Sequence, residues 1–155
     1  MRVAKEESRI GQVRRNQEHL GIDSNVLVAC PVPEHPDHEL TAGLAEERHA
    51  VNPTVLHETY HTAVFKLRRR PADTVKALLE HMNLALCLPT NSVTVERGLR
   101  LALKYSLGER DALILASYLS SKDVSAFVTM DRSLLSLKEI GFGKKMLRIV
   151  SPARS

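Results

Sequence analysis

The sequence predicts an α/β domain in which helices cover both faces of a central parallel sheet. Short apolar runs alternate with segments whose apolar residues recur at helical spacing, and this order is typical of a parallel sheet. The chain has 155 residues, a length that suits one domain. It is 43% hydrophobic and 26% charged, so it can bury a substantial core. We therefore predict a three-layer α/β/α sandwich.

The first predicted strand ends at Asp23, and a helical turn begins at Ser24. Asn52 followed by Pro53 predicts the start of a helix, because Asn is a favoured N-cap and Pro suits the first helical position. The apolar run at residues 84–88 indicates a strand buried on both faces. In the helix at residues 91–105, helical spacing predicts that four apolar residues face the core: Val95, Leu99, Ala102 and Leu103. The predicted helices span residues 37–47, 53–67, 72–82, 91–105, 111–119 and 133–140. The other predicted strands span residues 49–51, 84–88, 126–130 and 147–150.

The remaining sequence features bound the cellular context. The net charge of +4 fits a polyanionic partner. Cys30 and Cys87 lie among apolar residues and form no C-x-x-C motif, so we expect buried thiols in a reducing compartment. A charged N-terminus without an apolar stretch, and the absence of a membrane-length apolar run, predict a cytoplasmic protein with no membrane partner. We expect a polar extension at residues 1–19, the domain at 20–150 and a tail at 151–155.

Four acidic residues fall where a site is expected. In open parallel sheets, ligands lie beyond the carboxyl ends of the strands. Asp23 and Asp131 end two predicted strands, and Glu58 and Asp111 lie near the starts of two helices. Each alone could be a helix cap or a solvated side chain. Four carboxylates on one rim would repel one another and require a counter-charge, and oxygen ligands favour Mg²⁺ or Mn²⁺, ions that suit phosphodiester hydrolysis.

These residues lie in segments that resemble the motifs of PIN domains. Residues 21–27 (GIDSNVL) resemble the opening D-x-N motif, and residues 55–58 (VLHE) the acidic second motif. Residues 111–116 (DALILA) resemble the third motif, and residues 128–131 (VTMD) the T-x-D fourth motif. The order and the gaps agree over about residues 20–150. The polar lead before the first strand departs from the family, which usually begins almost at that strand.

The resemblance implies a PIN-like fold and a metal-dependent ribonuclease, often the VapC-type toxin of a toxin–antitoxin pair and often a homodimer. It implies RNA as substrate, Mg²⁺ or Mn²⁺ as cofactor and an antitoxin protein as a further partner. Asn25 and Thr129 would support the metal ligands from behind. The implied catalytic residues, which would also be the metal ligands, are Asp23, Glu58, Asp111 and Asp131.

Two basic residues and two alternative functions complete the analysis. Arg110 and Arg132 each adjoin a candidate acidic residue, so we expect them to contact the substrate. His57, Glu58 and His61 form an H-E-x-x-H match, which on a helix would hold zinc for peptide hydrolysis. That alternative leaves the other three acidic residues without a role. A second alternative is a non-catalytic RNA-binding module of the same fold.

Overall fold

The computed structural model describes residues 18–152, and its elements alternate between strands and helices as predicted. Residues 1–17 and 153–155 lie outside this range, so most of the predicted N-terminal extension and of the C-terminal tail lies outside the described residues. The strands are β1 (His19–Ile22), β2 (His49–Val51), β3 (Leu86–Cys87), β4 (Val124–Val128), β5 (Glu139–Phe142) and β6 (Lys145–Val150). The helices are α1 (Ser24–Ala29), α2 (His38–Thr41), α3 (Pro53–His61), α4 (Pro71–Leu84), α5 (Ser92–Tyr105), α6 (Glu109–Leu119) and α7 (Arg132–Leu135), with a 3₁₀ turn at Ala42–Glu46 and a π turn at Thr62–Lys66.

The six strands form one sheet in the order β3-β2-β1-β4-β6-β5. All neighbouring pairs are parallel except β5 and β6, which form an antiparallel hairpin. The sheet is therefore mostly parallel within an α/β/α sandwich, and the predicted fold class is confirmed. Because β1 lies between the parallel strands β2 and β4, the chain segments that follow these three strands leave the same edge of the sheet. This edge is where a site is expected.

Polar side chains cap the helices that leave this edge. Asp23 caps α1, Asn52 caps α3 by accepting from Val55 N, and Asp131 caps α7. The Asn-Pro start of α3 is as predicted from the sequence.

The centre of the sheet depends on one aromatic side chain from α6. Tyr118 is fully buried, and its hydroxyl donates to the carbonyls of Ile22 (2.7 Å) and Ala50 (3.1 Å). Its ring leaves no room for a side chain at Gly21, because a Cβ there would lie 2.7 Å from ring carbons. Tyr118 therefore links the ends of β1 and β2 immediately before Asp23.

The prediction of a helix at residues 133–140 is wrong beyond its first turn. Helix α7 ends at Leu135, and Lys138 has a φ of 63°, a left-handed conformation that a helix cannot continue through. The chain then forms β5, which returns along β6 through a turn at Gly143, where φ is also 63°. The apolar residues at 133–140 recur at helical spacing because one turn of helix is followed by a half-buried strand.

Two further expectations are corrected. Residues 84–88 contribute only the two-residue strand β3 at the sheet edge, and the Cys87 thiol is exposed, while Cys30 is half-buried. The buried residues of α5 are Thr94, Gly98 and Leu101. Of the residues predicted to face inward, Ala102 packs against the core but the other three are exposed, because close packing against α6 occurs at Gly98, whose Cβ would lie 3.3 Å from Leu113 Cα. The exposed apolar residues of α5 include Val95, Leu99 and Leu103.

Among residues 18–152, no helix is both long enough and apolar enough to cross a lipid bilayer.

Candidate active site

A network of hydrogen bonds joins the ends of β1 and β4 at the site. Asp23 is 5% exposed, and its two carboxylate oxygens accept from Ser24 N and from Thr129 Oγ1, both at 2.7 Å. The Thr129 hydroxyl oxygen in turn accepts from Asp131 N at 3.0 Å and from Asn25 Nδ2 at 3.4 Å. Asn25 Oδ1 also accepts from the backbone of Met130. Asp23 is thus held in one orientation by groups from both strand ends.

The environment of Asp23 disfavours its charge. Burial is the largest cause of a rise in its pKa to about 6, and the charges of Asp111 and Glu58 act in the same direction. The hydrogen bonds from Thr129 and Ser24 oppose the rise but do not cancel it. A buried carboxylate that feels two other carboxylates is in an environment that a nearby cation would stabilise.

Glu58 projects from the second turn of α3 and has a partner for each oxygen. Oε2 accepts from Ser24 Oγ at 2.8 Å, and Oε1 accepts from Arg110 Nη1 at 2.7 Å. Because Ser24 also donates its backbone N–H to Asp23, this serine connects two of the candidate acidic residues. Sequence reasoning did not select Ser24 as a site residue, and its only sequence signal was its position directly after Asp23.

Asp111 and Asp131 occupy the ends of two other helices. Asp111 lies in the first turn of α6, and its pKa is raised by partial burial and then by the charges of Asp131 and Glu58. Asp131 Oδ1 accepts from Ser133 N (2.8 Å), Ser133 Oγ (2.6 Å) and Leu134 N (3.3 Å). These bonds, led by that of the Ser133 hydroxyl, lower the pKa of Asp131. Asp131 therefore caps α7, and its charge also raises the pKa of Asp111.

The chemistry of these groups fits a hard divalent cation, but their present arrangement is not a finished ligand set. The donors are carboxylate oxygens, and burial, followed by the charges of the neighbouring carboxylates, raises the pKa of Asp23 and Asp111. As placed, no three His, Cys, Asp or Glu side chains in the described chain form a group that could hold an ion. Glu58 bonds to Arg110, and Asp131 bonds to its own helix end. To bind an ion, Glu58 would share or release its bond to Arg110, whereas Oδ2 of Asp131 lies outside the bonds to its helix.

The other predicted residues of this region are exposed. Arg132 lies at the start of α7, next to Asp131. His57 and His61 both lie on the exposed side of α3, and the His61 ring contacts the Phe65 ring at a centroid distance of 5.1 Å. Glu58, the central residue of the H-E-x-x-H match, bonds to Arg110 and Ser24.

Two surfaces away from the acidic residues also have a distinct character. A groove of about 620 Å³ is lined by apolar side chains of α1 and α4 and by Arg68, Arg69 and Arg70, and none of the four candidate acidic residues lines it. Arg69, which lines the groove, forms an exposed ion pair with Glu34 at 3.5 Å. On the outer side of α5, an apolar stripe is formed by Val95, Leu99 and Leu103.

Comparison with known proteins identifies the family to which the chain belongs. The model of the PIN domain matches residues 21–140, which is most of the chain and includes all four acidic residues. The chain therefore belongs to the PIN-domain family. At the level of sequence, no curated protein matches significantly.

Solved structures with this fold include several toxins. The chain is similar to a toxin–antitoxin complex from Klebsiella pneumoniae, with 17% identity, 89% of this chain and 100% of that chain covered, and a TM-score of 0.63. It is similar to a sarcin–ricin loop cleaving VapC toxin of Mycobacterium tuberculosis, with 15% identity, 73% of this chain and 90% of that chain covered, and a TM-score of 0.61. It is also similar to DNA-bound VapBC from Salmonella typhimurium, with 15% identity, 88% of this chain and 99% of that chain covered, and a TM-score of 0.57. At these identities the likeness establishes a common fold.

Proposed function

We propose that this PIN-domain protein is a cytoplasmic, metal-dependent endoribonuclease that hydrolyses RNA phosphodiesters, and that it acts as the toxin of a toxin–antitoxin pair. The observation that carries the proposal is the buried carboxylate of Asp23, held by Thr129 and Ser24 within reach of the charges of Asp111 and Glu58. Such a carboxylate is stabilised by a cation, and a hard cation between carboxylates suits phosphodiester hydrolysis.

In this proposal, each residue has a role that follows from its position. Mg²⁺ or Mn²⁺, when bound, would supply Lewis acidity toward water and phosphate oxygen. The Asp23 side chain has a fixed orientation in the site, because a hydrogen bond holds each of its two carboxylate oxygens. Thr129 and Asn25 keep that orientation from behind, and Arg132 would contact an RNA phosphate. The ligand set would be Asp23, Glu58, Asp111 and Asp131, with Arg110 as a second substrate contact.

The proposal is tested by RNA cleavage. Purified protein is incubated with a labelled RNA pool in Mg²⁺, in Mn²⁺ and in EDTA, beside the Asp23→Asn and Asp73→Asn variants. Asp73 is an exposed residue of α4 and serves as the matched control. We expect cleavage by the wild type and by Asp73→Asn that requires metal and is lost in Asp23→Asn. Cleavage that persists in EDTA and in Asp23→Asn would refute a metal nuclease, and a folded protein without any cleavage would favour the non-catalytic alternative.

We also propose a homodimer that buries the outer stripe of α5. Leu99 is 65% exposed and Leu103 87% exposed, and exposed apolar rows of this kind mark protein interfaces. Leu99→Glu should shift the solution mass from dimer to monomer, as measured by light scattering after size exclusion. The control Leu79→Glu changes an exposed leucine of α4 and should leave the mass unchanged. A monomeric wild type would refute this interface.

An antitoxin would fit the groove between α1 and α4. The apolar lining and the three arginines at residues 68–70 suit an apolar segment that carries acidic side chains. Ala77 lies on the α4 wall, so Ala77→Glu should weaken binding of a small protein encoded by an adjacent gene while leaving RNA cleavage intact.

A further inference from the structure

Arg110 forms an ion pair with Glu58, one of the four candidate carboxylates of the site. Its Nη1 lies 2.7 Å from Glu58 Oε1, a short distance typical of a charge-assisted hydrogen bond. The Glu58 side chain is 19% exposed and is anchored by Ser24 on its other oxygen, whereas the Arg110 side chain is 67% exposed. The carboxylate is therefore fixed, and the guanidinium is the partner that can leave into solvent.

The guanidinium and a divalent cation would need the same group. Oε1 of Glu58 already accepts from Arg110 and Oε2 from Ser24, so a cation at Glu58 would have to share a carboxylate oxygen with one of these donors. A guanidinium and a dication at that distance from one carboxylate would also repel each other. Each positive group therefore weakens the binding of the other at Glu58, and a cation gains most when the exposed guanidinium moves away.

We propose that Arg110 competes with the divalent cation for Glu58 and thereby sets the metal concentration at which the site becomes loaded. This inference rests on the proposed metal site. It assigns Arg110 a positioning role through Glu58, in addition to contact with RNA once the guanidinium is released.

The test measures Mn²⁺ binding alone, without RNA, by titration calorimetry on the full-length protein. Arg110→Gln should bind Mn²⁺ about two- to fivefold more tightly than the wild type, since it removes a partly exposed competitor. Arg110→Lys keeps the charge and should bind Mn²⁺ less tightly than Arg110→Gln. The control is Arg100→Gln, which breaks an ion pair of similar length with Glu96 on α5 and should leave Mn²⁺ affinity unchanged.

A second comparison separates contact from the general effect of charge. In the Glu58→Gln background, Arg110→Gln should no longer tighten Mn²⁺ binding, because the shared carboxylate is gone. An equal gain in both backgrounds, or no gain in the wild-type background, would overturn the competition while leaving the metal site intact. If neither the wild type nor Arg110→Gln binds Mn²⁺, the proposed metal site fails as well, so the two failures are distinguishable.

Discussion

Neutralising Asp23 should change the stability of the protein in a way that depends on pH. The Asp23 pKa is about 6 in the folded protein against 3.8 for the ordinary group, so the folded state favours the protonated form. The resulting loss of stability is small below pH 3.8, grows as pH rises between the two values and is complete above pH 6. It amounts to about 3 kcal/mol at pH 8 and about 1 kcal/mol at pH 4.5. Asp23 is almost fully buried, so solvent screening reduces this little.

The Asp23→Asn variant removes this loss but also removes one hydrogen-bond acceptor. Two donors, Ser24 N and Thr129 Oγ1, bond to separate carboxylate oxygens, and an amide has only one oxygen. The unmatched donor costs about 1 kcal/mol at either pH. In EDTA we therefore expect the variant to be about 2 kcal/mol more stable than the wild type at pH 8 and about equally stable at pH 4.5.

Urea unfolding of both proteins at the two pH values measures the difference in the free energy of unfolding, provided that its slope against urea concentration is the same in the wild type and the variant. Asp73→Asn, which removes an exposed carboxylate from α4, gives the baseline for losing one acidic charge. The reasoning is refuted if Asp23→Asn changes stability by the same amount at pH 8 and pH 4.5, because the other titrating groups are common to both proteins and only Asp23 differs between them.

Two further predictions follow from the same region. Tyr118→Phe should lower the free energy of unfolding by about 1–3 kcal/mol in urea, because the buried carbonyls of Ile22 and Ala50 lose their donor while the ring still packs; an unchanged value would mean that water replaces the hydroxyl. The double variant His57→Ala, His61→Ala should keep RNA cleavage and Glu58→Gln should lose it, since both histidines are exposed. One tightly bound zinc per chain, lost in the double variant together with peptide cleavage, would favour the metalloprotease instead.

The parts of the fold that could be predicted are those with a local cause. Asn52-Pro53 specifies a helix start within two residues, and Asp23 follows directly on its strand, so both were visible in the sequence. The hairpin of β5 and β6 was missed because it depends on a left-handed Lys138 and on pairing with a later strand. Gly141 and Gly143 around Phe142 were the available signals, and a strand there competes with the helical spacing of the preceding leucines.

The candidate site shows the same division between local and distant causes. Acidic residues at strand ends and helix starts could be selected because a parallel sheet gathers those positions at one edge. The partner of Glu58 could not be selected, since its distance to Arg110 depends on how α3 and α6 pack, 52 residues apart in the chain. Sequence proximity to Asp111 suggested that Arg110 faces substrate, and the structure adds Glu58 as its neighbour.

The outward face of α5 shows why an apolar pattern does not by itself identify the core. Leu99 and Leu103 recur at helical spacing and would be assigned to the interior by pattern alone, yet both are exposed in the single chain. The interior contact is made at Gly98, where the lack of a side chain allows α6 to approach closely. A periodic apolar row indicates only that some surface covers it. No part of residues 18–152 covers the row on α5, and this exposure is the reason for proposing the dimer interface there.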